Sequence, residues 1–472
     1  MIDGANRARG DAAGDALDRA LDRVCRSRMV PGNAVTHLTD GPAAFAAMFR
    51  LIDGARRWIH FENYIIRDDQ TGREFATKLV AAARRGVEVR LLFDRMGSRS
   101  TAGAFWTGLR HSGVRVRPFG ARAPWHPVTL LRRDHRKYLG VDGTDAVVGG
   151  ICIGDEWAGD PSRAVPPWRD TAVHLEGPAV PALEWAFLRQ WERAGGEEPT
   201  YGLPSRVDDR GTARIRLVDG IPAALRLYRA IGILAAGAAE RLWITDAYLV
   251  VATPIFANIR AAARDGLDVR LLVPGHTDLP AIRALTRVGY RELLEAGVRI
   301  WEWHGPMLHA KTVLIDETTY KVGSSNLNPS SFLSNYELDV LIEDPDTAAA
   351  AARQFRHDLA LATEVVLRPL RAPEALQPHL PPTVVRLGET GARPRPARAP
   401  GERSRRAVVT LRKVAQGAQR SIAGAVTFTF IGGGLLLLAL PNIMAYGLAV
   451  VCFGLGLAAA LRYLQRRQEF KD

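Results

Sequence analysis

Residues 135–150 read HRKYLGVDGTDAVVGG, and residues 309–326 read HAKTVLIDETTYKVGSSN. Each opens on His-x-Lys and reaches Asp five residues after the lysine. The first copy holds His135, Lys137 and Asp142; the second holds His309, Lys311 and Asp316. Both alternate around a turn and run into Gly, the pattern of strand, turn, strand. In an extended strand residues i and i+2 point the same way, so the His and Lys of each copy project together. The Asp closes the strand where the turn begins. If the copies face each other, two imidazoles and two ammonium groups reach one site. Such a site suits an anionic phosphorus centre, because Lys neutralises phosphate as a point charge and His can attack or shuttle protons.

The surroundings repeat as well. WIHFENY at 58–64 matches LWITDAY at 242–248, GVEVRLL at 86–92 matches GLDVRLL at 266–272, and GVRV at 113–116 matches GVRI at 297–300. The order of echoes is the same in both halves, which predicts a duplication. His135 follows Gly113 by 22 residues and His309 follows Gly297 by 12, so the first half carries extra residues, placed around Pro118 to Leu131. Each half reads as helix, strand, helix, strand, strand, motif hairpin, helix. Helical runs are expected over 43–53, 74–85, 181–193 and 347–362, and buried strands near Ile59 and over 87–93. This alternation predicts an α/β fold with a mixed sheet covered by helices. The expected divisions are an N-terminal extension over 1–32, a first domain over 33–200 and a second over 210–370.

Composition narrows the partners. A chain of 472 residues is too long for one compact domain. Its formal net charge of +13 favours anionic partners, nucleic acid or an anionic membrane face. Cys25, Cys152 and Cys452 form neither a disulfide framework nor a zinc pattern, which points to a reducing compartment for the soluble part. The charged stretch Met1 to Arg28 has no apolar core of a signal peptide. The other histidines show no metal spacing and read as surface or core residues. Glu62 and Asp246, at equivalent strand ends, read as structural carboxylates pairing nearby arginines.

Beyond Leu370 the character changes. Residues 371–412 are a Pro- and Arg-rich basic linker. A helical hairpin is expected over 413–467, with apolar runs at 422–440 and 443–461 broken by Pro441-Asn442. Each run is about long enough to cross a bilayer at roughly 1.5 Å per residue. Lys and Arg flank the pair and none lies between, which predicts both ends, and the catalytic part, on the cytoplasmic side of the inner membrane. Whether the hairpin spans or only dips is open.

These blocks resemble the phospholipase D superfamily, and within it the bacterial cardiolipin synthases. The resemblance runs from about Asn33 to Leu370. It rests on both motifs, Gly149-Gly150-Ile151, Ile153 to Trp157, Trp168 to Thr171, Gly323 to Leu327 and Asn335-Tyr336-Glu337. Two positions depart: Cys152 stands where the family usually has Asn, and Ser330 where Arg is common.

The resemblance implies two phospholipase D-like α-β-α sandwich domains forming one pseudo-twofold active site within one chain, so oligomerisation is not required. It implies a metal-independent, cofactor-free phosphatidyl transfer, with phosphatidylglycerol as the anionic lipid substrate, a membrane as partner, and no nucleic acid. One histidine attacks the phosphodiester and forms a phosphohistidine; the other protonates the departing glycerol and activates the acceptor hydroxyl. By analogy His135 is the nucleophile and His309 the acid/base. Lys137, Lys311, Ser324 and Asn326 would hold phosphate oxygens, and Asp170 and Glu337 would orient the imidazoles. Asp142 and Asp316 complete the catalytic motifs, as braces of the motif turns rather than substrate contacts. The acceptor stays open between a second phosphatidylglycerol, phosphatidylethanolamine, an alcohol and water, the last making the chain a phospholipase D. A non-catalytic membrane scaffold of the same fold is a further alternative.

Overall fold

The computed structural model describes residues 2–120, 132–250 and 255–367. Its frame is one sixteen-stranded sheet. The first half supplies β1 (Val30–Thr39), β2 (Trp58–Asn63), β3 (Glu88–Asp94), β4 (Arg115–Phe119), β5 (Arg133–Asp134), β6 (Lys137–Val141), β7 (Asp145–Gly149) and β8 (Thr171–Glu176). The second supplies β9 (Ala213–Gly220), β10 (Arg241–Asp246), β11 (Asp268–Pro274), β12 (Arg299–Trp303), β13 (Lys311–Ile315), β14 (Thr319–Gly323), β15 (Asn335–Glu343) and β16 (Ala362–Val365).

From the central β1–β9 pair the order outward is β8, β7, β6, β2, β3, β4 on one side. On the other it is β15, β14, β13, β10, β11, β12, with β16 added at the rim. The two halves are therefore the same sheet written twice about a pseudo-twofold. The expected sandwich pair is realised as halves of one continuous sheet, because antiparallel β1 and β9 hydrogen-bond across the boundary.

The sheet is mixed, as expected. β2, β3 and β4 run parallel, and the motif hairpin β6–β7 is antiparallel. Every residue of β2 is buried, as a strand covered on both faces requires. On one face Ile59, Phe61, Leu139 and Val141 pack under helices α2 (Asp40–Gly54), α3 (Gln70–Arg84) and α4 (Gly103–His111). On the other, Tyr138, Val148 and Leu175 meet helix Val180–Arg193 through Leu183 and Phe187. Each fully buried Phe here contributes about 1.5–3 kcal/mol.

The element order needs amending. Each half also holds an opening strand, β1 or β9, and a strand after the motif hairpin, β8 or β15. β1 reads VPGNAVTHLT, and its Pro, Gly and Asn hide the alternation; pairing on both edges makes it a strand. β1 also begins at Val30, inside the stretch assigned to the extension. The extension is itself helical at Ile2–Cys25, and Leu21, Val24 and Cys25 pack with Leu227, Ile231 and Leu234 of the second half. Of the expected insertion, Pro118 and Phe119 close β4, and 121–131 lie outside the described residues. The basic linker and the apolar hairpin also lie outside them. No described helix is long and apolar enough to cross a membrane.

Candidate active site

The segment that leads into each motif crosses to the other half. The backbone N–H of His135 donates to Tyr336 O (2.9 Å), where β5 pairs with the start of β15. In the same way the N–H of His309 donates to Arg169 O (2.7 Å), and that of Arg169 to Met307 O (2.9 Å). In each case the residue after the one whose carbonyl accepts from the histidine is a carboxylate. Glu337 thus reaches His135 Nδ1 with Oε2 at 2.9 Å, and Asp170 reaches His309 Nδ1 with Oδ2 at 2.6 Å. These two carboxylates are the ones expected to orient imidazoles, and each stands behind the histidine of the opposite half.

A carboxylate only accepts, so both Nδ1 atoms carry the proton, and both Nε2 lone pairs are left for chemistry. Each carboxylate accepts from two further groups. Asp170 also accepts from Trp157 Nε1 (3.0 Å) and Thr171 N (2.8 Å). Glu337 also accepts from Ser324 Oγ (2.5 Å) and Asn335 Nδ2 (3.2 Å). Burial pushes Asp170 up, but the His309 ring and Lys311 outweigh it and hold the carboxyl at about 2. Burial likewise raises Glu337, and His135, Lys137 and the Ser324 hydroxyl bring it down to about 2. Burial, with Lys311 beside it, lowers His309 to about 4. Burial lowers His135 too, against the pull of Glu337. At neutral pH the resting site holds two neutral imidazoles, each backed by an ionised carboxylate.

Lys137 and Lys311 are buried beside them, each donating to the carbonyl of its own motif histidine. Burial lowers Lys311 to about 8, with Asp170 opposing and Lys137 assisting. Tyr64 and Tyr248 complete the pseudo-symmetry. Their rings meet His135 and His309 edge-on, with centroids 4.8 Å and 5.9 Å away, and carry Lys137 and Lys311 at 5.1 Å and 5.8 Å. Both tyrosines sit in the repeated blocks that exposed the duplication, so the repeat itself was the available signal. Trp157 and Trp168 add aromatic walls on the His309 side.

The other residues singled out in the sequence divide here. Asp142 and Asp316 are not in the catalytic cluster: each ends its strand in a left-handed conformation, φ 54° and 51°. Asp142 accepts from the N–H groups of Arg56, Arg57 and Trp58, and Asp316 from those of Ala239, Glu240 and Arg241. They tie each hairpin turn to the start of the neighbouring strand in the sheet, β2 or β10, as a brace does. Seven residues of extended chain put them about 23 Å from the histidines of their own motifs.

The Ser324 hydroxyl is engaged within the protein: its Oγ donates to Glu337 and accepts from Leu338 N. Its counterpart is Gly150, where a Cβ would stand 2.2 Å from Asp170 Oδ1. Asn326 differs: its N–H is taken by Ser331 Oγ, and its buried Oδ1 has no partner among the described residues. At the matching place Cys152 is fully buried, and burial raises its thiol. Finally, neither Glu62 nor Asp246 forms an ion pair with arginine among the described residues. Asp246 accepts from the N–H groups of Tyr248 and Leu327, and both Glu62 oxygens are buried with no hydrogen-bond donor among the described residues.

The remaining histidines that the structure describes sit in the core or at the surface, outside this cluster. His60, for example, bonds Glu184 and the Tyr201 hydroxyl inside the first half.

Comparison with known proteins agrees with this geometry. A family model described as "Cardiolipin synthase, PLD-like domain" matches residues 48–155 and 233–359, one stretch in each half. The chain is 34% identical over 361 residues to a Cardiolipin synthase A of Pseudomonas fluorescens, covering 76% of this chain and 75% of that one. It is 33% identical over 362 residues to a Cardiolipin synthase A of Pseudomonas putida, with the same coverage of each. Among solved structures, phosphatidylserine synthase of Haemophilus influenzae superposes with a TM-score of 0.58 over 74% of this chain and 92% of that one. At 14% identity this likeness speaks to the fold alone.

Proposed function

The chain belongs to the cardiolipin synthase family built on phospholipase D-like domains, and from that premise we propose how it works as a phosphatidyltransferase: it joins two phosphatidylglycerol molecules into cardiolipin and glycerol. The observation that carries the proposal is the crossed pair of His–carboxylate contacts, with a lysine beside each ring.

His135 Nε2 attacks the phosphorus of the first lipid, and the bond to the headgroup glycerol oxygen breaks as the P–N bond forms. With the anionic phosphodiester bound, His309 takes up a proton from solvent at Nε2, its Nδ1–H still held by Asp170, and gives it to the departing glycerol. It then removes the proton of the incoming lipid hydroxyl, whose oxygen displaces His135 from phosphorus. Charge developing on the phosphoryl oxygens falls to Lys137, Lys311 and the Asn326 amide. Glu337 and Asp170 hold the Nδ1–H of each ring and so aim each Nε2 into the site. Ser324 supports Glu337, and Asp142 and Asp316 support the turns. The assignment of nucleophile and acid follows the family resemblance, since the two rings are near-equivalent.

In this reading the site works at the membrane. The flanking basic residues of the two apolar C-terminal runs support a cytoplasmic position for the catalytic halves on the inner membrane. The test expresses the full chain, or its His309→Ala variant, in a host lacking its own cardiolipin synthases, and reads lipids by mass spectrometry. Cardiolipin and glycerol from the wild type alone are expected. Phosphatidic acid alone would make the chain a hydrolase, and no histidine-dependent product would overturn the proposal.

A further inference from the structure

Helix Pro280–Val288 turns large apolar side chains to solvent, which a helix that merely covers a sheet does not. Inward it places Thr286, 5% exposed, whose hydroxyl donates to Leu249 O. Outward it places Leu285 and Val288, 53% and 81% exposed, with Leu279, 48% exposed, on the turn before it. Leu285 and Val288 are three apart, so they share one stripe, with exposed Ala284 beside them. In the first half, α4 holds the matching place after the second strand of the parallel set. There the ordinary pattern holds: Trp106 and Leu109 are buried, and Thr107 and Arg110 face out.

The exposed stripe is wired to the site. Tyr248 donates its hydroxyl to Asp278 (2.8 Å), just before the helix, while its ring edges His309. Thr286 ties the helix to Leu249, the next residue along the same loop. Arg287 and Arg291 alternate with the stripe and keep 46% and 60% of their side chains exposed while pairing with Glu302 and Glu295.

We propose that this helix lies on an anionic phospholipid bilayer, with Leu279, Leu285 and Val288 in the headgroup–acyl boundary, and holds the mouth of the site against its lipid. This rests on the lipid-substrate reading given above. Two features select a bilayer as the occupant. Three side chains are far less than the roughly 1,200–2,000 Å² that a stable second copy would bury. A bilayer needs only a few inserted apolar groups with cations beside them, and the half-exposed Arg287 and Arg291 stand beside this stripe.

The experiment uses the full chain carrying Leu285→Glu and Val288→Glu together. Both positions are exposed, and an unchanged thermal midpoint checks the fold. Turnover is measured on phosphatidylglycerol in vesicles and on a short-chain phosphatidylglycerol below its micelle concentration. The double variant is expected to lose about tenfold on vesicles and to stay within about twofold on the monomeric lipid. Equal vesicle turnover by variant and wild type, or equal loss on both substrates, would overturn the proposal. Wild type inactive on both would instead overturn the function.

A second measurement does not depend on activity. Val288→Cys in a Cys452→Ser background carries an environment-sensitive fluorophore, and the full chain is placed in nanodiscs. A blue shift with phosphatidylglycerol, quenched by lipids bearing shallow spin labels, is expected. A probe left in water would overturn the proposal. So would a shift that follows protein concentration in detergent, which would make a second copy the occupant.

Discussion

Glu337 Oε2 lies 2.9 Å from His135 Nδ1, although the two residues come from opposite halves of the chain. Asp170 and His309 repeat the relationship in the other direction at 2.6 Å. Neither half therefore owns a complete His–carboxylate pair. The crossing also makes the interface between halves part of the catalytic apparatus.

Removing the charge while keeping the shape should show what the crossing does. Glu337→Gln and Asp170→Asn each free the ring to take the wrong tautomer, and kcat should fall by about 10²–10⁴. His135→Ala combined with Glu337→Gln should be no worse than His135→Ala alone, since the carboxylate acts through that ring. Steady-state kcat for the three variants checks this, and additive losses would show that Glu337 has a separate role.

Lys311 sets a pH limit. Burial brings it to about 8, so its positive charge, which neutralises phosphate, is present below that pH and lost as pH rises through it. We expect kcat/KM to decline above about pH 8. In Lys311→Arg, whatever rate remains should lack that limb, because guanidinium stays charged. A pH profile with the same alkaline limb in both proteins would assign it elsewhere.

Glu62 predicts a change in stability. Burial, with Asp134 beside it, raises its carboxyl well above the usual range, so the folded state holds the proton. A raised carboxyl stabilises fully below its unfolded value near pH 4, and that contribution is lost as pH rises toward its folded value. Glu62→Gln removes the ionisable group at similar volume. The thermal midpoint should rise by the order of 1–3 °C at pH 8 and change little at pH 4.5. Equal shifts at both pH values would contradict this account.

The motif aspartates should separate folding from chemistry. Asp142→Ala removes three backbone contacts at a left-handed residue and should cost about 1–3 kcal/mol in denaturant unfolding. Asp316→Ala should behave alike. Below their unfolding midpoints, both variants should keep kcat within about threefold per folded molecule, since each aspartate stands about 23 Å along the strand from its histidine. A loss of kcat comparable to that of a histidine variant would return them to the chemistry.

The duplication, the α/β class and the chemistry of the motifs could all be read along the chain. Repeats, strand alternation and i, i+2 projection are local properties, legible in any window of residues. His135, Lys137, His309 and Lys311 stand out that way, and the turn position of both aspartates marks them as braces. What lay beyond that reach depended on contacts between residues far apart in the chain. β1 is a strand because β8 and β9 bond its two edges, not because VPGNAVTHLT alternates. Ser324 looks like a phosphate ligand until Glu337 takes its hydroxyl. Which carboxylate serves which histidine is a matter of three-dimensional packing alone. The segments leading into the motifs hydrogen-bond across the pseudo-twofold, and no local pattern encodes a partner about 140 or 200 residues away.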